Sequence, residues 1–479
     1  MNIVSLKYGP GAPPRPSGFI YLSRSPMAHH SDPRVPPGAS IAILFAIVYL
    51  ALPTRAFYWD GLAFAITIEN SQSWRELIDV HHLIYDFVGW AEYKLLGGHV
   101  RALFLMQWTN CVLGAVLLWC AYRLFRFSGV PAANSAACVA LLGVSATFWR
   151  FTTDADAYIA ANLFLVAAYC MIPRSPRAGA LLHLASMLFH QLSALFFPVA
   201  LALLWRRSRP DFRRSAVIYT MISAGGALSA YALAYGLASR VQARTFASWL
   251  TYHSGIPFVF HPWTSLKWLA VGTGRLFAGG KLTSTAMIAG PVALVLLGLG
   301  VLGIARTRPR LTYAWKEWPL AIWTLSYAGF MYFWEPHNTF YRLFYLVPLI
   351  GIIAVATRAV PARHLASLAA ALLCWNFFQY IYPNTRIENN PPLAAAFEWH
   401  KRWPPGTGVI YSKFVPDLWT ISYFNPQVSW MAVQSPDPAG VAARAADFAR
   451  DGGKVYLDWT YLESTGIERP RFTFEQVSP

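Results

Sequence analysis

Charge is scarce in this chain. Asp, Glu, Lys and Arg make up 13% of its 479 residues, against roughly 25% in soluble domains. With 56% hydrophobic residues and a mean hydropathy of +0.37, that shortage excludes an ordinary soluble globular protein. Acids are rarer than bases, 22 against 39, and the net charge is +17. The bases fall in short clusters between apolar runs, which is a topological pattern and not a nucleic-acid footprint. Cysteine is also sparse. Cys111, Cys120, Cys138, Cys170 and Cys374 all lie in apolar stretches without CxxC or zinc spacing, so they read as small buried hydrophobes. No GxGxxG and no cleavable signal peptide are visible. Residues 1–38 are proline-rich and read as a disordered cytoplasmic tail, within which Met27 is an alternative start.

Aromatics are abundant, with 20 Trp and 24 Tyr, as expected of a polytopic membrane protein with interfacial belts. About 20 apolar residues span a bilayer. The apolar runs predict about eleven spans, at 39–58, 102–122, 131–149, 158–173, 178–190, 192–205, 215–237, 285–305, 318–334, 340–357 and 364–382. Arginines follow every even-numbered span, most densely at Arg206, Arg207, Arg209, Arg213 and Arg214. The N-terminus is therefore expected in the cytoplasm and the C-terminus outside it. That assignment requires the run 178–205 to be two short helices meeting near His190 and Gln191. The fold class expected is mainly α: a transmembrane bundle over 39–383, with interfacial helices in the first outer loop. A small extracytoplasmic α/β domain follows over 390–479. Its signals are strands at 408–411 and 453–457 around an amphipathic helix at 438–451.

On this topology the unusual polar residues converge on one face. Asp60 lies in Phe57-Tyr58-Trp59-Asp60-Gly61, just past the first span. A carboxylate at that depth is costly to place and usually functional, although Asp is also a favoured N-cap. Glu69, Asp79, His81, His82 and Asp86 share its loop. Asp154-Ala155-Asp156 is a DxD that can hold a divalent cation such as Mg or Mn, or simply cap the next helix. His190 and Gln191 occupy a tight turn, and Glu335, His337, Asn338 and Arg342 precede the tenth span. Arg342 offers a planar donor fork suited to phosphate, or an interfacial anchor.

Three motifs, Tyr58-Trp59-Asp60-Gly61, His81-His82-Leu83-Ile84-Tyr85 and Phe189-His190-Gln191, set in this layout, resemble the C-type glycosyltransferase superfamily. That group includes protein O-mannosyltransferases and aminoarabinose transferases. The resemblance implies a polyprenyl-phosphate sugar donor, inverting transfer to a glycan, lipid or protein hydroxyl, and an active site at the outer face of a bacterial inner membrane. In it Asp60 is the catalytic residue, His81, His82, His190, Gln191, Glu335, His337, Asn338 and Arg342 bind substrate, and Asp154 and Asp156 hold any metal. No cofactor is strictly required. Two departures stand out: Gly61 and Leu62 follow Asp60 where many members carry a second acid, and His81-His82 replaces the usual His-Pro. Alternatives are an O-antigen ligase or polymerase, which would use the loop 240–281 with Arg244, His253, His261 and Arg275, and a transporter, which would show repeated halves and broken mid-membrane helices.

Overall fold

A computed structural model describes residues 37–207, 210–238, 245–251, 261–307, 317–434, 437–450 and 452–477. The proline-rich tail up to residue 36, with Arg240, Arg244 and His253, lies outside the described residues.

Helices dominate, and the chain is an integral membrane protein. Among the described residues four helices are long and apolar enough to cross a bilayer: Ala102–Phe127, Phe212–Leu237, Ala286–Thr307 and Ala362–Asn384. At 1.5 Å per residue, 26 residues in Ala102–Phe127 extend about 39 Å, more than the roughly 30 Å hydrocarbon core. Gly38–Ala51, Tyr158–Met171 and Phe340–Ala356 are apolar but shorter. The expected count of eleven full spans is thus not reproduced by helix length.

One expected span is interrupted by a break in the helix, and a second break falls at the expected junction of two others. The expected straight span 131–149 is instead Ala132–Gly143 and Ala146–Thr152, bent by 70°. The break is held by polar groups. Ser145 Oγ donates to the Leu141 carbonyl at 2.7 Å, and Asn376 Nδ2 donates to the freed Val144 carbonyl at 2.8 Å. The second break lies where the arginine pattern required one. Helix Pro176–Phe189 ends at His190, whose backbone is extended, and a 3-10 turn Gln191–Phe196 leads into Phe197–Arg207. His183 and Phe197 rings lie 6.2 Å apart. A continuous helix would separate them by about 21 Å, so the chain folds back here.

The C-terminal residues build a four-stranded sheet ordered β2-β1-β3-β4. β1 (Gly408–Tyr411) pairs in parallel with β2 (Ser429–Ala432) and β3 (Val455–Asp458), and β4 (Phe474–Val477) closes it antiparallel to β3. Helix Pro416–Tyr423 makes the crossover that the parallel pair β1 and β2 requires, and helix Pro438–Arg450 carries the chain from β2 across to β3 on the other side of β1. This part docks on the membrane bundle through a charged node. Glu69 accepts from Arg101 Nε at 2.8 Å, from Ala102 N at 2.8 Å and from the Tyr423 hydroxyl at 2.6 Å. Arg101 stacks over the Tyr423 ring at 3.8 Å. Beside the node, Arg55 N donates to the Asn384 carbonyl at 2.6 Å, and Phe57 stacks on Phe424 at 5.9 Å. Glu69 is therefore a structural anchor, not a spare catalytic carboxylate.

Candidate functional site

Polar side chains inside the long helix Ala102–Phe127 assemble the site. Gln107 and Asn110 are three residues apart and share a face. Gln107 Nε2 donates to the carbonyls of Thr54 (3.0 Å) and Thr153 (2.9 Å), and Asn110 Nδ2 to those of Asp154 and Asp156 (2.7 Å each). One helix thus ties the exit of the first helix to the DxD loop. Helix Trp59–Asn70 then comes down on that loop at Gly61. A β-carbon there would sit 2.3 Å from the Ala155 carbonyl oxygen, so only glycine permits the approach. An acid directly after Asp60, at position 61, is excluded for this reason.

The approach crowds carboxylates. Asp154 is fully buried and satisfied: its Oδ2 accepts from Tyr58 N at 2.9 Å, its Oδ1 from Ala155 N at 2.9 Å, and Arg150 lies 3.5 Å away. Burial raises its pKa, while Arg150 and the two amides oppose the rise. Asp156 is also fully buried, and neither oxygen makes a hydrogen bond among the described residues; the Ala157 and Tyr158 amides lie near without hydrogen-bond geometry. Desolvation, then Asp60 and Asp154, push its pKa far up. Asp60 is half-buried, its carboxylate accessible but densely surrounded, with no hydrogen-bond or ion-pair partner for it among the described residues. Desolvation, followed by Asp79 and Asp154, raises its pKa to about 7.

The metal reading of Asp154 and Asp156 does not fit this geometry. Both Asp154 oxygens are engaged, and among the described residues no group of three or more His, Cys, Asp or Glu side chains is arranged to hold an ion. Asp154 instead holds the backbone of Tyr58, two residues before Asp60.

Three of the four candidate histidines, His81, His82 and His190, gather. Asp79 Oδ1 accepts from the amides of His81 (2.8 Å) and His82 (3.1 Å), fixing their turn. His81 Nδ1 donates to Gln191 Oε1 at 3.1 Å, and Gln191 Nε2 donates to the Val80 carbonyl at 2.8 Å. His82 donates through Nδ1 to the Phe189 carbonyl at 3.2 Å. His190 accepts from Leu192 N at 3.1 Å, and its ring lies 4.8 Å from His82 and 4.9 Å from Tyr158. Rings continue the wall: Tyr158 to Phe340 at 5.4 Å and Phe340 to Tyr58 at 5.0 Å. Tyr341 lies within electrostatic reach of Asp60, Glu335 and Asp156. Sequence reasoning passed over Tyr158 and Tyr341, because nothing marks two tyrosines among 24. Gln107 and Asn110 did carry a signal, two amides at i and i+3 within an apolar span.

The last segment divides. Glu335, at φ 47°, accepts from Asn338 Nδ2 at 2.9 Å, and Asn338 Oδ1 caps Phe340 N at 3.1 Å. His337 is exposed and apart. Arg342 corrects an expectation. It is fully buried, and Nε donates to Asn338 O (2.8 Å), Nη1 to Leu269 O (3.2 Å) and the Tyr345 hydroxyl (3.0 Å), and Nη2 to Trp268 O (3.1 Å) and Pro336 O. A guanidinium has five N–H donors, and all five are used, leaving none for phosphate. Gly272 makes room: a β-carbon there would meet Arg342 Nε at 2.3 Å.

No protein-family model and no curated protein matches the sequence. Among solved structures, ArnT from Cupriavidus metallidurans bound to undecaprenyl phosphate aligns over 91% of this chain and 96% of its own, with a TM-score of 0.57 at 11% identity. The chain has the ArnT fold. ArnT in the apo state gives a TM-score of 0.53 at 12% identity, over 91% of this chain and 96% of that one. The Saccharomyces cerevisiae protein O-mannosyltransferase Pmt1-Pmt2 complex bound to the sugar donor matches at 15% identity and a TM-score of 0.34. That match covers 42% of this chain and about a third (33%) of the other, too little to carry an argument.

Proposed function

We propose that this protein is a membrane glycosyltransferase that moves a sugar from a polyprenyl-phosphate donor to a hydroxyl acceptor at the outer face, with inversion. Asp60 is the general base. As the acceptor oxygen bonds to the anomeric carbon, its proton passes to Asp60, and the carbon–oxygen bond to phosphate breaks with its electron pair leaving on polyprenyl phosphate. The single observation that supports this best is the unpartnered, half-buried Asp60 carboxylate with its pKa raised to about 7. A base tuned near the working pH is the effective one. The pKa of Asp156 beside it is pushed up by desolvation and by Asp60 itself, so the two carboxyls disfavour being ionised together. His82, His190, Tyr158 and Tyr341 form the surrounding wall. The whole-length likeness to ArnT, solved with undecaprenyl phosphate, supports the donor class.

Asp60→Asn tests the reading. Transfer from lipid-linked sugar should fall by about 10²-fold or more, the scale of general-base catalysis. The variant should insert normally and be no less heat-stable above pH 7, since a desolvated anion has been removed. Near-wild-type transfer would move the base elsewhere.

A further inference from the structure

Helix Pro416–Tyr423 packs on one face of the C-terminal sheet and helix Pro438–Arg450 on the other. Leu418 and Ile421 share a core with Val409, whereas Val441 and Ala445 share one with Ile410. The chain thus leaves β1 for β2 in one direction and returns past β1 to β3 in the other. Diverging crossovers leave a crevice at the carboxyl ends of the strands between them, and open α/β sheets bind ligands there. At this place Asp458 ends β3 and caps helix Trp459–Ser464, accepting from Thr460 N at 3.0 Å. Ser412, just past β1, donates to the Thr460 carbonyl at 2.6 Å.

A pocket of about 710 Å³ lies between that helix and the loop after it, walled by Trp459, Glu463, Ile467, Glu468, Arg469 and Arg471. Arg471 spans the crevice. It lies 3.7 Å from Asp417, in the first turn of helix Pro416–Tyr423, and 5.5 Å from the centre of the Trp459 ring. Arg469 is held by Glu475 of β4 at 2.5 Å, and the Phe472 carbonyl accepts from Trp399 Nε1 at 3.2 Å, which fixes the loop. Glu463 and Glu468 are exposed, and their carboxylates make no hydrogen bond or ion pair among the described residues. Trp459 Nε1 is buried and also lacks a partner among them, although a buried indole N–H usually has one. Two carboxylates and two guanidiniums leave the pocket without net charge. An anion there would face Glu463 and Glu468, and a cation would face Arg469 and Arg471. A neutral hydroxylated ligand meets neither repulsion, because each hydroxyl can donate to a carboxylate and accept from a guanidinium. Trp459 and Ile467 offer apolar surface to its C–H groups. A sugar ring has that combination.

We propose that the pocket at the carboxyl ends of β1 and β3 is a second binding site, for a neutral saccharide. It goes beyond the transfer reaction assigned to Asp60, since it holds a glycan without reacting with it. Asp417, the partner of Arg471, belongs to the helix whose last residue, Tyr423, bonds Glu69. Glu69 lies on the helix that carries Asp60, so the saccharide site is tied to the element bearing the base.

Full-length protein in a detergent without a sugar head group, applied to an array of immobilised neutral and acidic glycans, tests this without any donor. Neutral glycans should be retained and acidic ones not. For the neutral glycan held most tightly, Glu463→Ala and Arg471→Ala should each weaken binding at least about tenfold. Arg444→Ala, an exposed change on helix Pro438–Arg450, should leave it within about twofold. Glu463→Lys combined with Glu468→Lys should shift retention to acidic glycans. If Arg471→Ala fails to fold, Glu463→Ala still decides. Retention of no glycan, of acidic glycans alone, or of neutral glycans equally by the wild-type and Glu463→Ala proteins would overturn the site. Asp60→Asn should bind glycans as the wild type does. If that variant also transfers sugar normally, the mechanism at Asp60 fails and the saccharide site stands. Loss of transfer in Asp60→Asn with no glycan retained by the wild type would keep the base and remove the site.

Discussion

At residue scale the site is governed by how its acids are partnered. Asp60 titrates near pH 7 because it is desolvated and faces Asp79 and Asp154. A base must be ionised to act, so transfer should rise with pH through about 7. The stability effect has the opposite sign. The folded chain holds this proton above the usual carboxylate range while the unfolded chain releases it near pH 4, so between those values raising the pH weakens the fold. Asp79→Asn keeps an oxygen to cap His81 and His82 but removes the charge, and should move the acid limb of the pH–rate profile to lower pH. An unmoved limb would show that desolvation and Asp154 set the pKa without Asp79. Arg342 predicts a different failure. Lysine has three donors on one nitrogen where arginine spreads five, so Arg342→Lys should strand buried carbonyls at a cost of about 3 kcal/mol or more. Thermal unfolding would read this as a lower Tm, with binding of undecaprenyl phosphate little changed in the protein that remains folded.

At the scale of elements the decisive contact is between helix Trp59–Asn70 and the DxD loop. Gly61→Ala would drive a methyl into the Ala155 carbonyl and lift Asp60 away from Asp156. Activity should fall about 10²-fold, since small misplacements at a reacting centre carry costs of that order; transfer assays set beside unchanged expression would check it. How much was legible also divides by element. The strand at 408–411 was readable because it is a short apolar run between turn signals, and the helix beginning at Pro438 because its pattern is amphipathic. β2 and β4 were not, since Ser429–Ala432 and Phe474–Val477 are edge strands with mixed exposure. The turn at His190 followed from the placement of arginines. The 70° bend at Val144 did not, because its cause, the Asn376 amide, comes from 232 residues away. In the candidate site, Asp60 and the histidines could be picked out as candidates by their chemistry. The roles of Asp154 and Arg342 depended on which backbone groups would face them, and local sequence does not encode that.

At the scale of the whole molecule, the reading places Asp60, the DxD loop and the C-terminal sheet on one side of the membrane. Reporter fusions after Pro383 and within 150–157 should read extracytoplasmic, and a fusion at Arg207 cytoplasmic; a cytoplasmic signal after Pro383 would break the shared face. The Glu69–Arg101–Tyr423 node has a consequence in time. Arg101 and Tyr423 are 322 residues apart, and synthesis runs at about 5–20 residues per second, so the anchor arrives roughly 15–65 s after the loop it secures. For that interval Glu69 and Arg101 lack the phenol that joins them, and the segment bearing Asp60 lacks Phe424 against Phe57. A segment made late thus completes the clamp on one made more than 300 residues earlier, and a nascent chain halted between the two would carry the membrane helices without the clamp.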